Sequence, residues 1–386
     1  MSTLYDPENL LAPVPPLGWN SYNAFGGMHG LPADTNPLLP GDVALEERLI
    51  LETADALVSS GLRDAGYVYL NIDDRWQDPR TPRDAEGRLR HDERRFPRGM
   101  AFIGEYLHER GLKFGLYTVG NTIACGGEEG DGPNGFPQTG SLGHEFADAA
   151  SFVEWGVDFL KIDWCGVDEA CNRGNAPFVF EKWNRAIAEA GGQIVLSAST
   201  WGEENEAAWA PNLTHLWRTT ADVHATWESI ISIARATAAE SWAAVAGPAT
   251  GWNDPDMMHV GHPDLTLSES RTHLVLWSML SAPLLHGNDV RTMSAEIRDL
   301  LLTPEIRLIN ADRSAPARFE TRADEWEIWS RPLANGRVVR AVVNLANEPR
   351  ELPIDLVFPG TDVFAQTHTD PDTRRVSAHG VRLTLG

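Results

Sequence analysis

The chain has 386 residues, 42% of them hydrophobic and 23% charged, ordinary proportions for a folded globular protein and too apolar for a disordered one. Its 55 acidic residues against 32 basic ones give a formal charge of −23, which disfavours nucleic acid, whose binding rests on neutralising phosphates with Lys and Arg. No stretch approaches the roughly 18 consecutive apolar residues of a membrane-spanning helix, so no membrane partner is expected and a neutral small molecule is the better ligand class.

The first segment, Met1–Pro16, carries acids where a signal peptide needs a basic stretch, and it lacks an apolar core. A cytoplasmic address is expected, or a secreted one if a leader has been removed. Short apolar runs that read as strands follow at Leu17–Trp19, Tyr67–Ile72, Leu112–Tyr117, Phe159–Ile162, Ile194–Ser197, His215–Trp217, Ala243–Ala246 and Pro283–Leu285. Between them lie segments with apolar residues at helical spacing, such as Ala44–Ser59, Met100–Arg110 and Glu145–Trp155. This alternation predicts an α/β fold, a (β/α)8 TIM barrel. A doubly wound open sheet is the rival, but no Gly-rich phosphate fingerprint follows the first strand. The Gly-rich, acidic stretch 126–139 is expected to form a mobile loop over one barrel end.

Beyond Asn310 the pattern changes. Glu325–Ser330, Arg337–Asn344, Arg350–Leu356, Asp362–Thr367 and Arg382–Leu385 are strand-like and separated by turn residues, which predicts a small C-terminal antiparallel β-sandwich domain. The expected division is a catalytic barrel at 1–312 and an antiparallel β domain at 313–386. The three cysteines, Cys125, Cys165 and Cys171, are too few for a disulfide scaffold and lack zinc-site spacing. The stretch GWNDPDMMHVGH at 251–262 holds acids and histidines but matches no common zinc pattern, so no metal is expected.

In such a barrel the C-terminal ends of the strands carry the active site. The residues there are Asp73 and Asp74, Tyr117, Lys161 and Asp163, Arg218 and Asp222, then Trp252, Asn253, Asp254 and Asp256. A mouth of acids and aromatics suits a polyhydroxylated neutral ligand. Strand alternation puts Lys161 and Asp163 on one face, and an ammonium beside a carboxylate favours the ionised form that a nucleophile needs. A buried pair plugging the barrel would look the same. Asp222 could protonate a leaving oxygen while Asp163 attacks, the two-carboxylate logic of a retaining glycosidase. An amphipathic stretch follows it, so helix capping is the better reading of Asp222 taken alone. Neighbours on a strand point to opposite faces, so Asp73 and Asp74 can share a ligand only if the strand has already ended.

Taken in order, LGWNSYNAF at 17–25, YVYLNIDDRW at 67–76, GRLRHDERRFPRGM at 87–100, GLKFGLYT at 111–118, GSLGHEFADAASFVEWGVDFLKIDWC at 140–165, WRTTADV at 217–223, AGPATGWNDPDMMHVG at 246–261 and APLLHGNDVRTM at 282–293 resemble glycoside hydrolase family 27, the α-galactosidase and α-N-acetylgalactosaminidase family. The resemblance covers the whole barrel, and the trailing β domain fits it. It implies a retaining exo-glycosidase acting on a small or oligosaccharide substrate with a terminal α-galactosyl-type sugar, without metal or organic cofactor. It implies Asp163 as nucleophile and Asp222 as acid/base. Asp73 and Asp74 match the carboxylates that hold O4 and O6, Lys161 the donor on the O3/O4 side, Arg218 the contact near O2, and Asp256 a further hydroxyl ligand. Tyr117 and Met257 match pocket walls, and Cys125 and Cys165 a disulfide beside the pocket.

Departures from the family bear on substrate. Tyr22 stands where a Trp is usual, and Trp164 follows the nucleophile where a small or amide residue is usual. Thr200 replaces a Glu that faces the sugar's C2, as a small hydroxyl residue does in N-acetylgalactosaminidases. Hydrolysis of terminal α-galactosides is the leading expectation. α-N-Acetylgalactosaminidase, β-L-arabinopyranosidase and isomalto-dextranase activities stay open, as do transglycosylation, a non-catalytic sugar-binding barrel and a homo-oligomeric state.

Overall fold

A computed structural model describes residues 11–25, 45–126, 138–166, 174–323, 325–364 and 374–386. Cys171, residues 127–137 of the expected loop and residues 365–367 of an expected strand lie outside them. Strands β1 (Leu17–Asn20), β2 (Tyr69–Asn71), β3 (Lys113–Val119), β4 (Val157–Asp163), β5 (Val195–Ser199), β6 (Leu216–Arg218), β7 (Trp252–Asp254) and β8 (Leu284–His286) form one sheet in the order β7-β6-β5-β4-β3-β2-β1-β8. The ladders from β1 through β6 are parallel. This is the sheet of the expected barrel. Its strands are buried on both faces, which is why they read as continuous apolar runs rather than alternating ones.

The helices between these strands are α1 (Ser21–Ala24), α2 (Glu47–Ser59), α3 (Gly99–Glu109), α4 (Glu145–Glu154), α5 (Ala176–Glu189), α6 (Trp227–Thr237), α7 (Glu240–Ala243) and α8 (Leu267–Met279), and α9 (Ala295–Leu301) and α10 (Pro304–Asn310) follow β8. Helix α2 buries Leu49, Ile50, Thr53, Ala54 and Leu57, one stripe at helical spacing. Strand seven is the one misplaced by sequence. Ala243 ends α7, and the strand is Trp252–Asp254. The run Ala243–Ala246 is apolar, but alanine favours helix and is depleted in strands, whereas the true strand is too short to stand out. None of the described helices is long and apolar enough to cross a membrane.

Beyond the barrel strands, β9 (Arg318–Ala323), β10 (Trp326–Pro332), β11 (Val338–Asn344), β13 (Thr361–Asp362) and β15 (Val381–Leu385) form an antiparallel sheet in the order β13-β15-β11-β10-β9, and β12 (Arg350–Glu351) pairs with β14 (Arg375–Val376). Trp326, Ile328, Val342, Leu352, Leu356 and Val376 make its core. The expected strand Arg350–Leu356 is only β12, since Ile354–Leu356 turns into a 3-10 helix behind Pro353, a residue that cannot donate to a ladder.

The chain divides into two compact units, one holding Pro16–Arg218 with Leu285–Thr292, the other Thr219–Leu284 with Met293–Gly386. Within the second, Arg331 of β10 is fully buried and donates to the carbonyls of Ser278, Ile309, Asp312 and Ser314, so the β sheet is tied to the ends of α8 and α10. Burial lowers its pKa to about 10, and the four acceptors repay part of that cost. Replacing Arg331 with Met should destabilise the fold by about 3 kcal/mol or more, because buried carbonyls lose their donor. Thermal or urea unfolding measures it; a loss below 1 kcal/mol on the order of a surface change would refute the anchoring role.

Candidate active site

In the first unit, the register of the parallel ladders decides which side chains meet. Tyr117 lies beside Lys161, and Val119, Asp163 and Ser199 are neighbours across β3, β4 and β5. Along β4, Lys161 and Asp163 point to one side while Ile162 packs, fully buried, on the other. The Lys161 ammonium sits 3.1 Å from Asp73 Oδ2 and 3.5 Å from Asp163 Oδ2, above the rings of Tyr22 and Tyr117 at 5.5 and 5.4 Å. Strand β2 ends at Asn71, so Asp73 and Asp74 are beyond strand geometry and the objection to their sharing a ligand disappears.

Each carboxylate is held by donors. Asp73 Oδ2 accepts from the Asn20 side chain at 2.8 Å, and its Oδ1 from the Asp74 N–H at 2.9 Å. Asp163 Oδ1 accepts from the Trp164 N–H at 2.9 Å and from the Ser199 hydroxyl at 3.0 Å. That leaves Oδ2 toward Lys161. Asp74 accepts from the Arg75 N–H through Oδ1 and from the Gly126 N–H through Oδ2. Burial pushes Asp74 up to about 6, helped by the charges of Asp73 and Asp163 and opposed by the two N–H donors. A Cβ on Gly126 would fall 2.6 Å from Arg75 Nε and 2.9 Å from Asp74 Oδ2, so only glycine brings its amide so close.

Cys125 and Cys165 form a disulfide with their Cα atoms 5.3 Å apart. The Tyr117 hydroxyl accepts from the Cys125 N–H and donates to its Sγ, and burial holds that phenol well above its usual pKa. The bridge therefore fixes the segment that delivers Gly126 to Asp74. Trp164 is buried, stacked on Phe180, with its indole N–H donating to Glu204 at 3.1 Å. Thr200 is fully buried, and its hydroxyl donates to Glu206, itself fully buried. Burial raises the Glu206 pKa. Arg218, the last residue of β6, is also buried.

In the second unit Asp222 is half-buried and is not the N-cap of α6. The N-cap of α6 is Thr226, whose hydroxyl accepts from the Ser229 N–H. The capping reading is thereby corrected, since the helix starts four residues too late. The segment carrying Asp222 is pinned next door: the Val223 N–H donates to Asp256 Oδ2 at 2.9 Å, and His259 Nε2 donates to the Val223 carbonyl at 3.1 Å. Burial takes His259 down to about 4, so it is neutral at pH 7. Asp256 has a φ of 86°, rare for a non-glycine residue; its N–H donates to Asp254 and its carbonyl accepts from the Trp277 indole. Met257 is buried beside it.

Three contributors escape sequence reading. Ser199 lies just past the expected strand end at Ser197, and only its register with Asp163 exposes it. Gly126 directly follows the bridged Cys125, and Glu206 approaches Thr200 through a turn in which Trp201 and Asn205 adopt positive φ.

The sequence matches the family model described as Alpha galactosidase A over residues 14–312 and that of the Alpha galactosidase C-terminal beta sandwich domain over residues 323–385. It is 38% identical to alpha-galactosidase 3 of Arabidopsis thaliana over 349 residues, 89% of this chain and 71% of that protein. It is 36% identical to human alpha-galactosidase A over 347 residues, 87% of this chain and 75% of that one. The fold superposes on alpha-galactosidase I from Mortierella vinacea with a TM-score of 0.80 at 27% identity, covering 98% of each chain.

Proposed function

This chain belongs to the alpha-galactosidase A family, glycoside hydrolase family 27, and on that premise we propose that it cleaves terminal α-linked galactose through Asp163 as nucleophile and Asp222 as acid/base. It is a glycoside hydrolase, and it hydrolyses α-galactosides with retention of configuration. The observation that carries the residue assignment is the setting of Asp163. One oxygen is fixed by the Trp164 N–H and the Ser199 hydroxyl, and the other faces the Lys161 ammonium. A carboxylate so held is oriented by its donors, which is what attack on an anomeric carbon needs. Ser199 is thus a positioning residue for the nucleophile.

In this reading Asp163 attacks the anomeric carbon while Asp222 gives its proton to the departing oxygen. Asp222 then takes a proton from the water that releases the sugar, regenerating both groups. Asp73 and Asp74 accept from the sugar hydroxyls and Lys161 donates to them, with Tyr22, Tyr117 and Arg218 of the first unit as further sugar contacts; Asp256 and Met257 are assigned to the sugar by the family resemblance. The barrel is proposed to span 1–312 and the β domain 313–386. The buried Glu206 carboxylate, which accepts from the Thr200 hydroxyl, keeps an acid beside position 200, which supports plain galactose over N-acetylgalactosamine. A panel of aryl α-galactoside, α-N-acetylgalactosaminide, β-L-arabinopyranoside and α-glucoside tests this. The galactoside should give the highest kcat/KM, and a faster N-acetylgalactosaminide would overturn the glycone assignment.

The Asp74 carboxylate adds a pH dependence. Both of its oxygens accept from N–H groups, so the ionised form fits the site, and that form is lost as pH falls through about 6. Inhibition by galactose should weaken below that pH and hold steady above it. An inhibition constant unchanged between pH 7.5 and pH 5 on the order of those limits would rule Asp74 out as the group responsible.

A further inference from the structure

Beside Asp163, the Sγ atoms of Cys125 and Cys165 and a carboxylate oxygen of Asp163 all lie within 4.8 Å of one another. A tetrahedral zinc with metal–sulfur bonds of about 2.3 Å and metal–oxygen bonds of about 2.1 Å needs its ligand atoms about 3.5–3.8 Å apart, a spacing reached by small side-chain rotations once the S–S bond is gone. The surrounding charges lean acidic: Asp73, Asp74 and Asp163 stand against the ammonium of Lys161 and the guanidinium of Arg75. Asp163 is buried and both cysteines are half-buried, which limits competing water while leaving a path for an ion.

We propose that reduction of the Cys125–Cys165 bridge creates a site for a soft or borderline divalent cation of the zinc and cadmium class, built from the two thiolates and the Asp163 carboxylate, and that filling it withdraws Asp163 from catalysis. The chemistry balances with a dithiol reductant. Two electrons and two protons pass to the cysteine sulfurs, and the reductant closes to its own cyclic disulfide. The cation then displaces both thiol protons to the solvent. Three protein ligands leave a fourth position for water. In the oxidised protein the sulfurs are bonded to each other and the site does not exist. The ion is an inhibitor and takes no part in the hydrolytic cycle. The loss of catalysis rests on the nucleophile reading of Asp163, whereas the binding itself does not.

The experiment titrates cadmium into the full chain in a Cys171→Ser background, oxidised and after dithiol reduction, and reads the thiolate-to-cadmium charge-transfer band together with turnover. The reduced protein should show a one-to-one band that the oxidised protein lacks, and turnover should fall in step with it. Asp163→Asn should weaken cadmium binding by on the order of tenfold or more, and Cys165→Ser should abolish the one-to-one band. Near-ultraviolet circular dichroism of the reduced protein follows its tertiary packing. No band, or equal cadmium affinity with and without the Asp163 carboxylate, overturns the site, the latter also being the signature of thiols binding from an unfolded chain. Cadmium saturation with full turnover overturns the inhibitory half. Asp163→Asn turnover without metal tests the nucleophile separately.

Discussion

Asp163→Asn is expected to abolish turnover in a protein that still folds. The substitution is isosteric and can keep an oxygen under the Trp164 N–H and the Ser199 hydroxyl, while Lys161 retains Asp73 as its partner. What disappears is the negative charge that bonds to the anomeric carbon. Loss of a covalent nucleophile costs on the order of 10⁴-fold or more in kcat, with ground-state binding retained. The checks are kcat on an activated aryl α-galactoside and the melting temperature of the variant. A small cavity-forming substitution, Asp163→Ala, adds a sharper arm. Exogenous azide should attack from the vacated side and yield the β-galactosyl azide, the inverted product that a nucleophile at this position demands. A variant that keeps substantial kcat would reject the assignment.

Asp222→Asn carries the second large effect, and its signature is selectivity. Without the proton donor, cleavage of natural galactosides with poor leaving groups should slow by about 10²–10⁴-fold, the range of general acid catalysis. Aryl galactosides whose leaving group departs as a stable anion should lose far less in kcat/KM. For these, the water that releases the sugar lacks its base, so the covalent intermediate should accumulate, KM should fall, and azide should restore kcat. Equal losses across leaving groups would argue that Asp222 supports the fold or the ligand rather than moving a proton.

The barrel was readable in sequence because its strands, buried on both faces, appear as apolar runs, and its helices carry one apolar stripe each. Where that signal is weak the reading slips. The three-residue β7 is overshadowed by the alanine-rich run before it, and β9, Arg318–Ala323, has no strong apolar pattern. Within the candidate site the K-x-D spacing places Lys161 and Asp163 together by alternation alone. Asp73 and Asp74 needed the end of β2 to become compatible, and Asp222 needed the true N-cap at Thr226 to lose its structural explanation. Ser199, Gly126 and Glu206 were silent. Their contacts come from strand register, the bridged cysteine next to Gly126 and a turn with positive φ, properties that local pattern does not encode.

The proposed mechanism requires Asp163 to bond directly to the sugar. Incubation with a fluorinated α-galactoside that glycosylates quickly and hydrolyses slowly, followed by peptide mass mapping, locates that bond. A single hexose-derived adduct on the peptide containing Asp163, absent from Asp163→Asn, is the predicted result; an adduct on another carboxylate, or none under conditions of full inactivation, would contradict it.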